Sequence, residues 1–224
     1  MKTLILLAFI LIANVFAGEA QEIFCDDKSL SYCINHFDRQ CDAKNYNACW
    51  IVGVLYREQE QYGKTKKYYE MVCDRANSKD SYGVELIDGS MGPKVPIISG
   101  MKLSCYMLGN FYYNGLGVRQ SYEKALQYSK KACDLGSGEA CASVGWEYYK
   151  GEGVKKDLKT ALKFYTKSCK LEFGAGCGLL GVFYHDGDVV KQNLSKAKEL
   201  FGKACDLGEQ IGCDDYKELK EKGY

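Results

Sequence analysis

The sequence predicts an all-α array of stacked helical hairpins, and three observations carry that prediction. The first is a period. Cys105, Cys141, Cys177 and Cys213 recur every 36 residues, and Cys133, Cys169 and Cys205 recur at the same step. The second is the grouping of the twelve cysteines into couples. Cys25/Cys33, Cys41/Cys49, Cys133/Cys141, Cys169/Cys177 and Cys205/Cys213 lie eight residues apart, and Cys73/Cys105 is the same couple spread by an insertion. The third is that apolar residues between the couples fall at i, i+3, i+4 and i+7, the spacing of an amphipathic helix.

From the N-terminus, Lys2, the apolar run Leu4–Ile12 and Val15-Phe16-Ala17 form a secretory signal peptide over 1–17, with cleavage after Ala17 or Ala20. Its apolar core is too short to span a bilayer, and no later stretch approaches about 18 apolar residues. The mature chain is therefore expected to be secreted or periplasmic, where disulfides persist. An even cysteine count in an exported chain favours disulfides. Zinc would call for C-x2-C spacings or clustered histidines, and the chain has no C-x2-C and two distant histidines, His36 and His185. No metal and no cofactor are expected. Neighbouring residues suggest the connectivity. Cys25, Cys41, Cys73, Cys133 and Cys205 precede Asp and Cys169 precedes Lys, and these marked cysteines alternate with Cys33, Cys49, Cys105, Cys141 and Cys177, which lack the mark; the last cysteine, Cys213, also precedes Asp. Pairing each of the first six with the cysteine that follows it gives Cys25–Cys33, Cys41–Cys49, Cys73–Cys105, Cys133–Cys141, Cys169–Cys177 and Cys205–Cys213.

A capping helix is expected over 30–39, then a hairpin between Cys41 and Cys73 that lacks a Gly-x-Gly-Val turn at 58–62 and so has a shorter loop. The insertion, 74–104, holds both prolines, Pro93 and Pro96, and an apolar stretch, Tyr82–Ile87, that could form a decayed helix. It reads either as the remnant of a lost repeat or as a long loop that contributes to binding. Beyond it the repeats are regular. In the clearest unit a first helix runs through Val144-Gly145 and Tyr148, turns at Gly151-Glu152-Gly153-Val154, and is followed by Asp157, Ala161 and Tyr165. The flanking units place Gly109 and Gly181 at the helical glycine, Ser121 and Asn193 at the N-cap position, and Tyr128 and Phe201 at the aromatic position, with a one-residue offset. A helical Gly costs about 1 kcal/mol relative to Ala, so its recurrence implies a close helix–helix contact. Val189 stands where Gly153 stood, which implies a different turn in the fourth unit. A polar-faced capping helix closes the array over 210–221.

This pattern resembles the Sel-one-like repeat, a relative of the tetratricopeptide repeat with the signature L-G-x-x-Y-x-x-G-x-G-V-x-x-D-x-x-K-A-x-x-Y, seen best at 144–165. With coupled cysteines and a signal peptide, the chain is similar to the secreted cysteine-rich repeat proteins of Helicobacter and related bacteria. The resemblance covers about residues 25–222 and implies one right-handed α/α superhelical solenoid with a disulfide staple at each repeat joint.

Comparing the repeats with one another points to a recognition face. The first, fifth and ninth positions after Cys49, Cys105, Cys141 and Cys177 vary freely: Trp50/Val54/Glu58, Tyr106/Asn110/Asn114, Ala142/Trp146/Lys150 and Gly178/Val182/Asp186. Spacing of four sets each trio along one helical face. Trp50, Val54, Glu58, Tyr106, Asn110, Asn114, Trp146, Lys150, Val182 and Asp186 are thus the candidate lining of a concave groove for a protein, peptide or peptidoglycan-like ligand. The net charge of +1 gives no electrostatic basis for nucleic-acid binding. A monomer is expected.

The resemblance also implies a second activity, since members of that family are labelled β-lactamases and linked to penicillin binding. Serine enzymes of that kind use S-x-x-K with S-D-N and K-T-G. Here S-x-x-K occurs as Ser99–Lys102, Ser121–Lys124 and Ser195–Lys198, while S-D-N and K-T-G do not occur. Ser99 and Lys102, placed in the insertion, are the candidate nucleophile and base, and no preorganised oxyanion site is evident. His185-Asp186 reads as surface or groove lining. The cysteine pairing predicts that the denatured, unreduced mature protein exposes no titratable thiol to Ellman's reagent; several free thiols, or crosslinks between distant repeats on peptide mapping, would contradict it.

Overall fold

The computed structural model describes residues 29–75, 81–82, 95–96 and 98–224. The signal peptide, Cys25 and most of the insertion lie outside the described residues. Two compact units divide the chain, residues 1–120 and 121–224.

In the first unit, α1 (Leu30–Asp42), α2 (Tyr46–Glu58), α3 (Tyr62–Arg75) and α4 (Ile98–Asn114) pack in sequence order. Ser29 and Asn45 cap α1 and α2, accepting from the backbone N–H groups of Tyr32 and Ala48. Three residues join α2 to α3, the short loop expected where the Gly-x-Gly-Val turn is missing. Within the insertion lies a two-residue antiparallel pair, β1 (Ser81–Tyr82) and β2 (Val95–Pro96), with Ser81 opposite Pro96 and Tyr82 opposite Val95. This corrects the reading of Tyr82 as the start of a helix; the rest of that stretch, 83–87, lies outside the described residues. The helical part of the chain also reaches further than expected. α3 continues to Arg75 and α4 starts at Ile98, so 98–104 belong to α4 rather than to a loop.

In the second unit, α5 (Tyr122–Asp134), α6 (Gly138–Lys150), α7 (Leu158–Lys170), α8 (Gly174–Asp186), α9 (Leu194–Asp206) and α10 (Gln210–Glu221) stack consecutively. Ser121, Asp157 and Asn193 each cap the helix that follows, as their short polar side chains favour. The turn from α6 to α7 uses left-handed Gly151 and Gly153. At Gly153 a Cβ would meet the Tyr122 carbonyl carbon at 2.4 Å, so both its φ of 66° and its surroundings demand glycine. The α8–α9 turn keeps a left-handed Gly187 but has no left-handed residue at Val189. It closes on the same backbone bond nonetheless: Asn193 N–H donates to Tyr184 O at 2.8 Å, as Asp157 N–H does to Tyr148 O at 2.9 Å.

Hairpin packing rests on a glycine in the first helix and an aromatic ring in the second. A Cβ on Gly53, Gly145 or Gly181 would stand 2.6 Å from Cε1 of Tyr69, Tyr165 or Phe201. Each ring lies four residues before a cysteine, Cys73, Cys169 or Cys205, so Phe201 is in register with Tyr165. Tyr128 is the residue out of register; it is half-buried, and buried Ser129 takes the ring position there.

Disulfides join the end of each second helix to the start of the next first helix. Cys41–Cys49, Cys133–Cys141, Cys169–Cys177 and Cys205–Cys213 bring Cα atoms to 4.5–4.7 Å, and Cys73–Cys105 spans the insertion at 5.1 Å. Cys33 is also disulfide-bonded. Closing a loop of this length stabilises by about 2–3 kcal/mol in the chain-entropy view.

Gly145→Ala should lower the denaturant midpoint, because overpacking of about 1–3 kcal/mol exceeds the roughly 1 kcal/mol helix-propensity gain. Gly63→Ala, with nothing within 4 Å of its Cβ, should leave the midpoint unchanged or raise it. Equal effects of the two substitutions would show that the glycine–ring contact does not limit stability.

Candidate functional site

The expected recognition face divides sharply in the structure. In α2, Trp50 and Val54 are buried, 8% and 4% exposed, while Glu58 is half-buried. This corrects the placement of Trp50 and Val54 on an open groove: they fill the interior of the first unit, and Trp50 Nε1 is buried without a hydrogen-bond partner. In α4, Tyr106 and Asn110 are half-buried, and Asn114 is exposed with its side-chain amide donating to Asn110 O at 3.0 Å. Ser99 and Lys102 occupy the first turns of the same helix, Ser99 exposed and Lys102 half-buried. They are spaced by helical geometry, not gathered by a loop.

The second unit presents its stripe to solvent. Trp146 on α6 is 37% exposed and Val182 on α8 is 40% exposed, with Lys150 and Asp186 exposed beside them. Trp146 stacks on Tyr149, their ring centroids 5.8 Å apart and 26° from parallel. Tyr149, 38% exposed, also meets buried Phe183 of α8 edge-on at 6.2 Å, which ties the surface pair to the core. Lys150 Nζ lies 4.6 Å from the Trp146 centroid and 5.8 Å from that of Tyr149, and Lys156 Nζ lies 5.6 Å from Tyr149. Ammonium groups over ring faces are held there by about 0.5–1 kcal/mol each at exposed sites. At the end of α8, His185 Nδ1 and Asp186 Oδ1 are 2.7 Å apart.

Comparison of variable positions at steps of four did not find Tyr149 or Lys156. Tyr149 follows Trp146 by three, the other helical neighbour spacing, and Lys156 comes from the turn. The signal was present in the run Trp146-Glu-Tyr-Tyr149-Lys150.

Beneath this surface lies a buried acid. Glu147 is 2% exposed at the position filled by Leu55, Phe111 and Phe183 in other hairpins, and its Oε2 has no hydrogen-bond partner. Burial, reinforced by the Glu152 carboxylate, raises the Glu147 carboxyl from its ordinary 4.5 to about 8, with Lys130 acting in the opposite direction. Lys130 Nζ itself donates to the Tyr148 hydroxyl at 2.8 Å. Burial likewise raises the Tyr165 hydroxyl, whose oxygen is also without a partner.

An acid held protonated by the fold releases its proton more readily when unfolded. Ionisation therefore favours the unfolded chain, and stability should fall from about pH 4.5 to about pH 8 by up to about 1.4 kcal/mol per pH unit. Thermal melts of Glu147→Leu, which restores the apolar residue found at position 55, should lack this slope. A parallel pH profile for both proteins would show that Glu147 is ionised in the folded state at neutral pH.

Comparisons with known proteins agree with this architecture. The Sel1 repeat family matches residues 102–137, 138–173 and 175–209. Among solved structures, the chain is similar to c5321, a protective antigen present in uropathogenic Escherichia coli strains displaying an SLR fold. That match has 19% identity and a TM-score of 0.71 over 98% of this chain and 44% of that one. It is also similar to a Sel1 repeat protein from Oxalobacter formigenes, with 20% identity and a TM-score of 0.62 over 77% and 61% of the two chains. The chain thus spans less than two thirds of the length of either protein. Helicobacter pylori cysteine rich protein B is 36% identical, with a TM-score of 0.44 over 50% of this chain and 86% of that one. No curated protein sequence matches significantly. The fold is an α/α solenoid of helical repeats, and three Sel1 repeats occupy residues 102–209 of the chain.

Proposed function

We propose that this Sel1-repeat protein is an exported, disulfide-joined scaffold that binds a protein or peptide partner on the exposed face of α6 and α8. Export is supported by the N-terminal signal pattern and by five described disulfides, a chemistry that persists in oxidising compartments. The observation that carries the binding reading is the stacked Trp146–Tyr149 pair, which stays exposed although the same helix buries Ala140, Cys141, Val144 and Glu147. Aromatic rings offer large contact area at low entropic cost and are enriched among residues that dominate binding energy. Val182 extends the apolar surface onto α8, and Lys150 and Asp186 supply its polar margin.

The resting stack also favours recognition energetically. Tyr149 is braced by Phe183, and Phe183 by Tyr165 at 5.7 Å, so the exposed ring is fixed before a partner arrives. A pre-ordered anchor reduces the rotamer entropy lost on association.

Selection of random displayed peptides against the oxidised chain should yield binders whose dissociation constants rise at least about tenfold, about 1.4 kcal/mol, on Trp146→Ala. Gln127→Ala, at an exposed position of α5, should leave them unchanged. Binders indifferent to Trp146→Ala and Val182→Asp would place recognition elsewhere.

A further inference from the structure

We propose that the partner of this face is an acidic peptide segment, whose carboxylates engage Lys150, Lys155 and Lys156 while an apolar side chain packs on Trp146 and Tyr149. The inference rests on the binding reading above and adds the chemistry of the partner.

Three observations converge on it. The first comes from comparing the repeats. Lys150, Lys155 and Lys156 correspond to Asn114, Arg119 and Gln120 one repeat earlier and to Asp186, Lys191 and Gln192 one repeat later. The neighbours have one basic residue each where this repeat has three. Trp146 and Tyr149 correspond to Asn110 and Tyr113, then to Val182 and His185, so the aromatic pair and the basic triplet arise in the same repeat.

The second observation concerns pairing. Some lysines of this unit are matched by carboxylates: Lys167 with Asp134 at 3.0 Å, Lys196 with Glu199 at 2.7 Å, and Lys222 with Glu218. Among the described residues no carboxylate pairs with Lys150, Lys155 or Lys156; Lys150 and Lys156 rest on aromatic faces instead. The ring face takes up one side of each ammonium and leaves donors directed outward. A carboxylate arriving there forms charge-assisted hydrogen bonds without displacing an existing ion pair.

The third observation is where the acids went. Glu147, between Trp146 and Tyr148, is withdrawn from the surface into the core, and Asp157 spends its carboxylate on capping α7. Glu152 and Asp157 in the turn and Asp186 on α8 remain near this face, and the positive charge is gathered on the rings themselves, at Lys150 and Lys156. A flexible peptide in which acidic and apolar residues adjoin matches both components, with an apolar side chain on the rings and neighbouring carboxylates on the lysines above them.

The experiment uses the full oxidised chain carrying Trp50→Phe, which removes an indole whose buried N–H has no partner and leaves Trp146 as the reporter. Its fluorescence is titrated with three synthetic peptides of one design, alternating Leu with Glu, Gln or Lys. The Glu peptide should bind at least about tenfold tighter than the Gln peptide at 50 mM salt. That advantage should shrink at 0.5 M salt, as expected for exposed charges under screening. Lys150→Gln combined with Lys155→Gln and Lys156→Gln should erase the advantage, so that the variant binds the Glu and Gln peptides equally. Equal affinity for the Glu and Gln peptides would overturn the acidic assignment but leave Trp146-dependent recognition standing. Preference for the Lys peptide would reverse it. Failure of all three peptides to perturb Trp146, with a hyaluronan oligosaccharide perturbing it instead, would replace the peptide by an anionic glycan and overturn both readings. Silence from every probe would overturn them as well.

Discussion

The contact on which each regular hairpin depends is a tyrosine or phenylalanine ring lying against a glycine. Gly53 under Tyr69, Gly145 under Tyr165 and Gly181 under Phe201 leave no room for a Cβ. A helical glycine is locally unfavourable, and an aromatic residue is a mediocre helix former. Together they let the ring lie directly against the backbone of the facing helix, and the large apolar face of the ring is removed from water. The local penalty on each helix is offset by the packing between them, so neither residue is explained by its own helix.

Disulfides act at the complementary joint. The glycine–ring contact holds two helices of one hairpin, whereas Cys133–Cys141, Cys169–Cys177 and Cys205–Cys213 fasten one hairpin to the next. The two devices alternate along the chain with the period of the repeat. With backbone and joints fixed in this way, surface residues between the joints can vary without loss of fold. The Trp146–Tyr149 face and its lysines exploit that freedom.

Glu147 shows the other side of the same freedom. It occupies a core position that Leu55, Phe111 and Phe183 fill with hydrocarbon, and the fold tolerates it by keeping the carboxyl protonated. Its burial also strips negative charge from the surface above, where Lys150 lies over the rings. A buried polar group without a partner costs stability. Here it falls in the repeat that carries the exposed aromatic pair, and the strain and the candidate site share one helix.

The sequence alone settled the period, the helical hairpins, the N-caps at Ser121, Asp157 and Asn193, and the need for close contact at the helical glycines. All of these depend on residues near one another along the chain or on identical spacings repeated along it. Tertiary structure decided which positions of the variable stripe reach solvent. Trp50 and Trp146 stand one and five residues after equivalent cysteines, and periodicity put both on one face, yet one is buried and the other exposed. It also decided that Tyr82 pairs in a strand, that Ser99 and Lys102 are helical, and that Lys156 from a turn meets Tyr149 from a helix. Helical spacing fixes the direction in which a side chain leaves its own helix. Whether it then meets water or another helix depends on segments distant in sequence, and no local pattern encodes their positions.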